Sequence, residues 1–137
     1  MTPAQIVDTM MSKDAFSQWL GIEVLNIEAG TCTLKMTLRA EMLNGFGIAH
    51  GAITYALADS ALAFASNSHG RQSLSVDTSI NHIEVLRVGD TIIALAKEES
   101  LKNRFGVYTI QILKDQTLVA HFKGTVYRTE KEWQIQS

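Results

Sequence analysis

Apolar and polar residues alternate along most of this chain, and the alternation gives way to helical spacing in only two places. From 31 to 39, Cys32, Leu34, Met36 and Leu38 fall on one side while Thr33, Lys35 and Thr37 fall on the other. That is the period of a half-buried strand. A companion strand over 22–28 precedes it, with Ala29 and Gly30 as the turn. Further on, Leu74, Val76, Thr78 and Ile80 alternate with Ser75, Asp77, Ser79 and Asn81. Gly89-Asp90 then turns into a strand over 90–100, and the KNRFG segment turns into one over 105–113. Lys114-Asp115-Gln116 turns into the last, 117–129, where Leu118, Ala120, Phe122 and Val126 share a face.

Helical spacing places Ile6, Met10, Phe16 and Trp19 on one short amphipathic helix over 3–19, with Pro3 in its first turn. The second helix, about 51–68, follows the glycine-rich stretch NGFGIAHG and is apolar almost all round, so it must be enclosed. The order is one helix, two strands, a buried helix and four strands. Short turns between the last four imply an antiparallel meander. The simplest architecture is α+β: an antiparallel sheet curled around one central helix.

Composition narrows the function. The 137 residues suit one domain spanning 1–137 with a real core. A net charge of −2 and singly scattered Lys and Arg argue against nucleic acid as a partner. Cys32 is the only cysteine and reads as a small core residue; a disulfide within the chain is excluded and a reducing compartment is expected. The N-terminal segment lacks the pattern of a signal peptide, and the longest apolar run is too short and interrupted to span a membrane. The expectation is a soluble, cytoplasmic protein. No His/Asp/Glu spacing resembles a metal site, so no metal is expected, and His69, His82 and His121 read as surface or sheet residues.

The chemistry centres on Asp59, the only charge between Ile48 and Ser68. An ionised carboxylate costs several kcal/mol to bury unless it is paired or hydrogen-bonded. The helix start at His50-Gly51-Ala52 offers free N–H groups and a partial positive charge, suited to a developing oxyanion. Gly51 allows close approach, and Asn44 in the preceding loop adds a donor or acceptor. Asp59 follows His50 by nine residues, which is about 900° of rotation and about 13.5 Å of rise. It therefore cannot serve its own helix start. Ala52, Tyr55, Ala56, Ala63 and Ser66 share its face, and alanine there permits close approach of a second chain. A twofold dimer would carry two equivalent composite sites.

The segment LNGFGIAHGAITYALADSALAFASNSHG, with its Asn-x5-His-Gly-x7-Asp spacing, resembles the signature of hotdog-fold acyl-CoA thioesterases of the phenylacetic acid degradation type. The likeness runs from about Gly21 to Arg128 and includes VDTSI and GVYTIQI. It implies a hotdog fold, an acyl-CoA substrate with no separate cofactor, and a homodimer assembling into a homotetramer. By resemblance, Asn44 positions the water or the carboxylate, and His50 fixes the thioester end. Gly51 polarises the carbonyl through its N–H. Asp59, from the opposite subunit, is general base or nucleophile. Ser75 matches a serine near the carboxylate in some relatives, and Asn103, Arg104 and Gly106 match a segment that contacts the CoA nucleotide, to which Arg128 is a possible addition. Ala52 departs from the usual second glycine. Phe46, Ile48, Tyr55 and Phe64 are candidates for an acyl pocket, for an aryl or medium-chain group. A hotdog dehydratase or hydratase and a non-catalytic acyl-CoA binding module are the competing functions.

Overall fold

Two helices, not one, open the chain in the computed structural model, which describes residues 1–135. Helix α1 spans Pro3–Lys13 and α2 spans Ala15–Leu20. The break falls at Asp14, which leaves helical geometry (φ −93°, ψ 81°) so that its carboxylate can cap α2 by accepting from Ser17 N–H. An aspartate competes in this way with helix continuation. The expected single face splits accordingly. Ile6 and Val7 are buried, whereas Phe16 and Trp19 are exposed and stack on each other, with the Arg39 guanidinium over the indole.

Strands β1 (Glu23–Glu28) and β2 (Thr31–Thr37) form the expected hairpin, and Cys32, Leu34 and Met36 are buried on one face of β2. Gly30 takes the left-handed turn position (φ +83°). Burial raises the Cys32 thiol to about 12, consistent with a packing role. Helix α3 spans Gly51–Asn67, and β3 (Arg71–His82), β4 (Thr91–Lys102), β5 (Phe105–Lys114) and β6 (Thr117–Glu132) complete the fold.

All pairings are antiparallel, in the order β1-β2-β4-β5-β6-β3. Only β4, β5 and β6 form the meander. β3 pairs with β6 at the far edge, and residues 83–90 carry the chain back across to β4. This return segment meets the loop before α3, where Ala49 N–H donates to Leu86 O at 2.8 Å.

The sheet wraps α3. Leu57, Ala58, Ala61, Phe64 and Ala65 are fully buried against it. Gly124 in β6 leaves room for Leu62, whose Cδ2 would lie 2.5 Å from any Cβ at that position. Phe64 is therefore core and not pocket wall. The expected inward face of β3 is only half right. The register slips between Ser75 and Asp77, leaving Leu74 and Val76 67% and 59% exposed, while Thr78 and Ile80 turn towards the helix.

Candidate active site

One stripe of α3 escapes the sheet. Ala52 is exposed, and Tyr55, Asp59 and Ala63 are half-buried, in line with the face assigned to Asp59 from its spacing. Asp59 sits between two cavities. One, of about 340 Å³, lies towards α2 and is lined by Asp14, Phe16, Tyr55 and Ala56 among others. The other, of about 370 Å³, opens between α1, β3 and β6 and is lined by Leu74, Ser75, Val126 and Trp133. Asn67 builds its far end: its amide bonds Ala63 O, Ser73 O and Ser73 N–H, and accepts from the Trp133 indole.

Among the described residues no hydrogen bond reaches the Asp59 carboxylate. Ser60, the neighbour best placed to cap it, bonds Ser17 Oγ instead, at 2.8 Å. Burial, and secondarily the charge of Asp14, raise its proton affinity above the ordinary carboxylate range. An acid held this way is a stronger base once ionised.

The start of α3 is built differently. His50 is its N-cap, and Nδ1 accepts from Ala52 N–H at 2.9 Å. The proton of the neutral ring is thereby fixed on Nε2, which can donate outward. The Ala52 N–H is used up by this contact. The Gly51 N–H has no acceptor among the described residues and is the free donor of the helix end. The ring of His82, at the end of β3, packs against Gly51: its Nε2 would lie 3.2 Å from a Cβ there. His82 thus belongs to the helix start and to the cavity in front of it, shared with Thr54 and Glu84.

Asn44 organises the loop before the helix. Its Oδ1 accepts from Phe46 N–H at 2.9 Å and Ile48 N–H at 3.4 Å, and Leu43 bridges Ala49. The side-chain carbonyl is committed to this turn, which leaves the Nδ2 donors. Phe46 stands at the tip, 89% exposed, and meets neither cavity beside Asp59. Tyr55 is held by a hydrogen bond between its hydroxyl and Thr78 Oγ1 and an edge contact with Phe122. Ser75 lines the cavity between α1, β3 and β6.

Residues 103–106 lie at the β4–β5 turn. Asn103 takes φ +54°, and its carbonyl accepts from Arg71 and Arg128, so both guanidinium groups brace the turn. Arg104 is exposed at the tip. Gly106 is buried, and a Cβ there would lie 2.9 Å from Tyr108 Cε1, so close packing accounts for the glycine. His69, expected as a surface or sheet residue, is partly exposed and pairs with Glu98 at the other end of α3, where Tyr108 also donates to Glu98 at 3.2 Å.

A family model described as the thioesterase superfamily matches residues 46–121, more than half of the chain. The chain belongs to that superfamily. The acyl-coenzyme A thioesterase PaaI of Escherichia coli K12 is 34% identical over 90% of this thioesterase and 89% of its own length. The solved structure of the E. coli PaaI protein from the phenylacetic acid degradation operon superposes with a TM-score of 0.92, at 33% identity and 95% coverage of both chains. The TT0310 protein of Thermus thermophilus gives 0.83 at 37% identity, covering 85% of this chain and 99% of its own. The thioesterase is thus of the hotdog fold and PaaI type, and it is a thioester hydrolase. No helix among the described residues is long and apolar enough to cross a membrane.

Sequence reasoning passed over Asp14 and took His82 only as a surface or sheet residue, which its exposed place at the end of β3 matches. Asp14 with Ser17 three residues on is a helix-start signature and was there to be found. His82 reaches Gly51 only through the placement of β3, for which no local signal exists.

Proposed function

We propose that this thioesterase hydrolyses acyl-CoA, water and the thioester giving a free acid and coenzyme A, at a site shared by two copies of the chain. One observation carries the proposal. The free N–H at Gly51 and the carboxylate at Asp59, unpartnered among the described residues, lie on one helix, about 12 Å apart along its axis. Neither cavity lined by Asp59 reaches Gly51. Each end therefore supplies half of a hydrolytic site, and a twofold pairing of helices completes two. The edge strand β3, with Leu74 and Val76 exposed beside an unpaired backbone edge, supports contact with a second copy. A homotetramer follows if two such dimers associate.

In this site the thioester carbonyl accepts from Gly51 N–H, and charge developing on its oxygen is stabilised by that donor and the helix end. His50 Nε2–H and the Asn44 amide donors orient the thioester and the water. Asp59 of the second copy takes the proton of the attacking water, or attacks the carbonyl itself; in both routes it must be ionised. The carbon–sulfur bond then breaks and the departing thiolate takes up the proton held by Asp59. After direct attack it takes one from water, and a water molecule then hydrolyses the acyl-Asp59 anhydride to the free acid. Arg104, at the braced β4–β5 turn, is the cation offered to the CoA phosphates, with Asn103 beside it. Tyr55, Phe16 and the alanine floor suit an aryl or medium-chain acyl group, with Ser75 on the other side of Asp59. A cytoplasmic location accords with a CoA substrate.

The test is thiol release from a panel of acyl-CoA thioesters by wild type and Asp59→Asn. Release from one acyl class, reduced about 10²–10⁴-fold in the variant, is expected. Near-full hydrolysis by Asp59→Asn would remove the carboxylate from the mechanism. Hydration of an enoyl thioester without thiol release would point to a hydratase.

A further inference from the structure

We propose that Asp14 is a positioning residue of the hydrolytic site, acting on Asp59 through a shared cavity and a hydroxyl relay. The inference rests on the assignment of Asp59 as the group that must ionise. Asp14 and Asp59 line the same cavity, although they are remote in sequence and Asp14 belongs to the break between α1 and α2. Asp14 Oδ1 accepts from Ser17 N–H at 2.9 Å and Oδ2 from Ser17 Oγ at 2.6 Å. Since the Ser17 hydroxyl donates to the carboxylate, it accepts from Ser60 Oγ, 2.8 Å away. The chain of donors runs from Ser60, next to Asp59 in α3, through Ser17 to Asp14. Ser17 and Ser60 are buried, at 1% and 9% exposure, so the relay is largely shielded from water.

Two consequences follow for Asp59. The relay ties α2 to the turn of α3 that carries the carboxylate, which fixes its direction. A second carboxylate beside the same cavity also disfavours ionisation of Asp59. The direction of the Asp59 shift agrees, with burial first and Asp14 second. Tyr55 is the other titratable side chain in this cavity. The opposite wall, from α1, β3, β6 and Trp133, presents no ionisable side chain among its described residues. In the proposed dimer, His50 of the second copy faces Asp59 as well.

The experiment is the pH profile of kcat/KM for thiol release from an acyl-CoA substrate. Wild type is compared with Asp14→Asn, Asp14→Ser, Ser60→Ala and Asp59→Asn. Asparagine and serine both cap helices, so α2 keeps its start while the charge is lost. Both Asp14 variants should stay active to lower pH than wild type, because Asp59 then ionises more readily. Raising salt to about 1 M should move the wild-type acid limb the same way and the Asp14 variants less. Ser60→Ala keeps the charge; its acid limb should stay near wild type while kcat falls about 3- to 10-fold from lost orientation. A folded Asp14→Asn enzyme with an unmoved acid limb overturns the inference. So does a Ser60→Ala limb that moves as far as that of Asp14→Asn. Full turnover by Asp59→Asn instead overturns the functional assignment on which it rests.

Discussion

The two ends of the proposed hydrolytic site lie on one helix and are built on opposite principles. At the start of α3 nearly everything is satisfied locally. Asn44 closes its loop, His50 caps the helix, and one backbone N–H at Gly51 is left over. In the middle of the helix a carboxylate sits half-buried with no hydrogen bond among the described residues, beside a second acid. The first region is stable as it stands and offers a donor. The second is uncomfortable as it stands and offers a base. In the proposed site this difference is the reason for two half-sites per chain: the parts are complementary in charge but about 12 Å apart along the helix.

The sharpest way to break this comparison is to disable each end in a separate chain and mix the two. Gly51→Pro removes the free N–H at the first helical position, where proline is tolerated. Asp59→Asn removes the carboxylate. Each variant alone should be nearly inactive. After unfolding and co-refolding in equal amounts, about a quarter of wild-type activity should return, because half the dimers then contain one intact site of two. If mixing restores nothing although mixed dimers form, the two ends do not meet across an interface.

Gly51→Pro by itself sharpens the assignment of the donor. Loss of one oxyanion donor should lower kcat by about 10²–10³-fold, while circular dichroism shows the helix content unchanged. Equal loss with Gly51→Ala, which keeps the N–H but approaches the His82 ring, would shift the explanation to packing.

The smallest effect is on stability, and the two ends should move it in opposite directions. His50→Ala removes a cap and should cost about 0.5–2 kcal/mol. Asp59→Asn should stabilise. In the folded chain Asp59 holds its proton more tightly than in the unfolded one, so its ionisation at neutral pH costs folding free energy. The gain from Asp59→Asn should therefore be present at pH 7 and fade as pH falls towards the ordinary carboxylate value of 3.8. Thermal denaturation across that range checks it. A variant less stable than wild type at pH 7 would mean that the carboxylate has a stabilising partner in the assembled protein.

Much of this was legible from residue order alone. The alternation of Cys32, Leu34 and Met36 placed β2 because a two-residue period and one buried face admit a single register. The lone charge at Asp59 and the His50-Gly51 start marked both halves of the proposed site, since a helix has only one free N-terminus and an apolar helix few reasons to carry an acid. What escaped was long-range. Leu74 and Val76 alternate as a buried strand would, yet they sit on an edge, because alternation encodes a face and not a neighbour. Nothing local says that β3 pairs with β6 in place of β4. The commitment of Asn44 to its turn depends on backbone donors that appear only once the loop has closed.

That pairing has a consequence for how the molecule is made. β3 precedes β6 by three strands, yet it has no other neighbour in the sheet. During synthesis α3 and β3 emerge before β6, so the inward residues of β3, Ile80 among them, lack their pairing strand until the last one leaves the ribosome. Sequence-distant pairing of this kind slows folding and lengthens the time during which apolar edges are open to other chains. The wall behind Asp59, made by β3 and Val126 of β6, is the final part to close. A nascent chain arrested before residue 117 would have most of its core strands and Asp59 itself, but not the Val126 and Trp133 side of the cavity beside it.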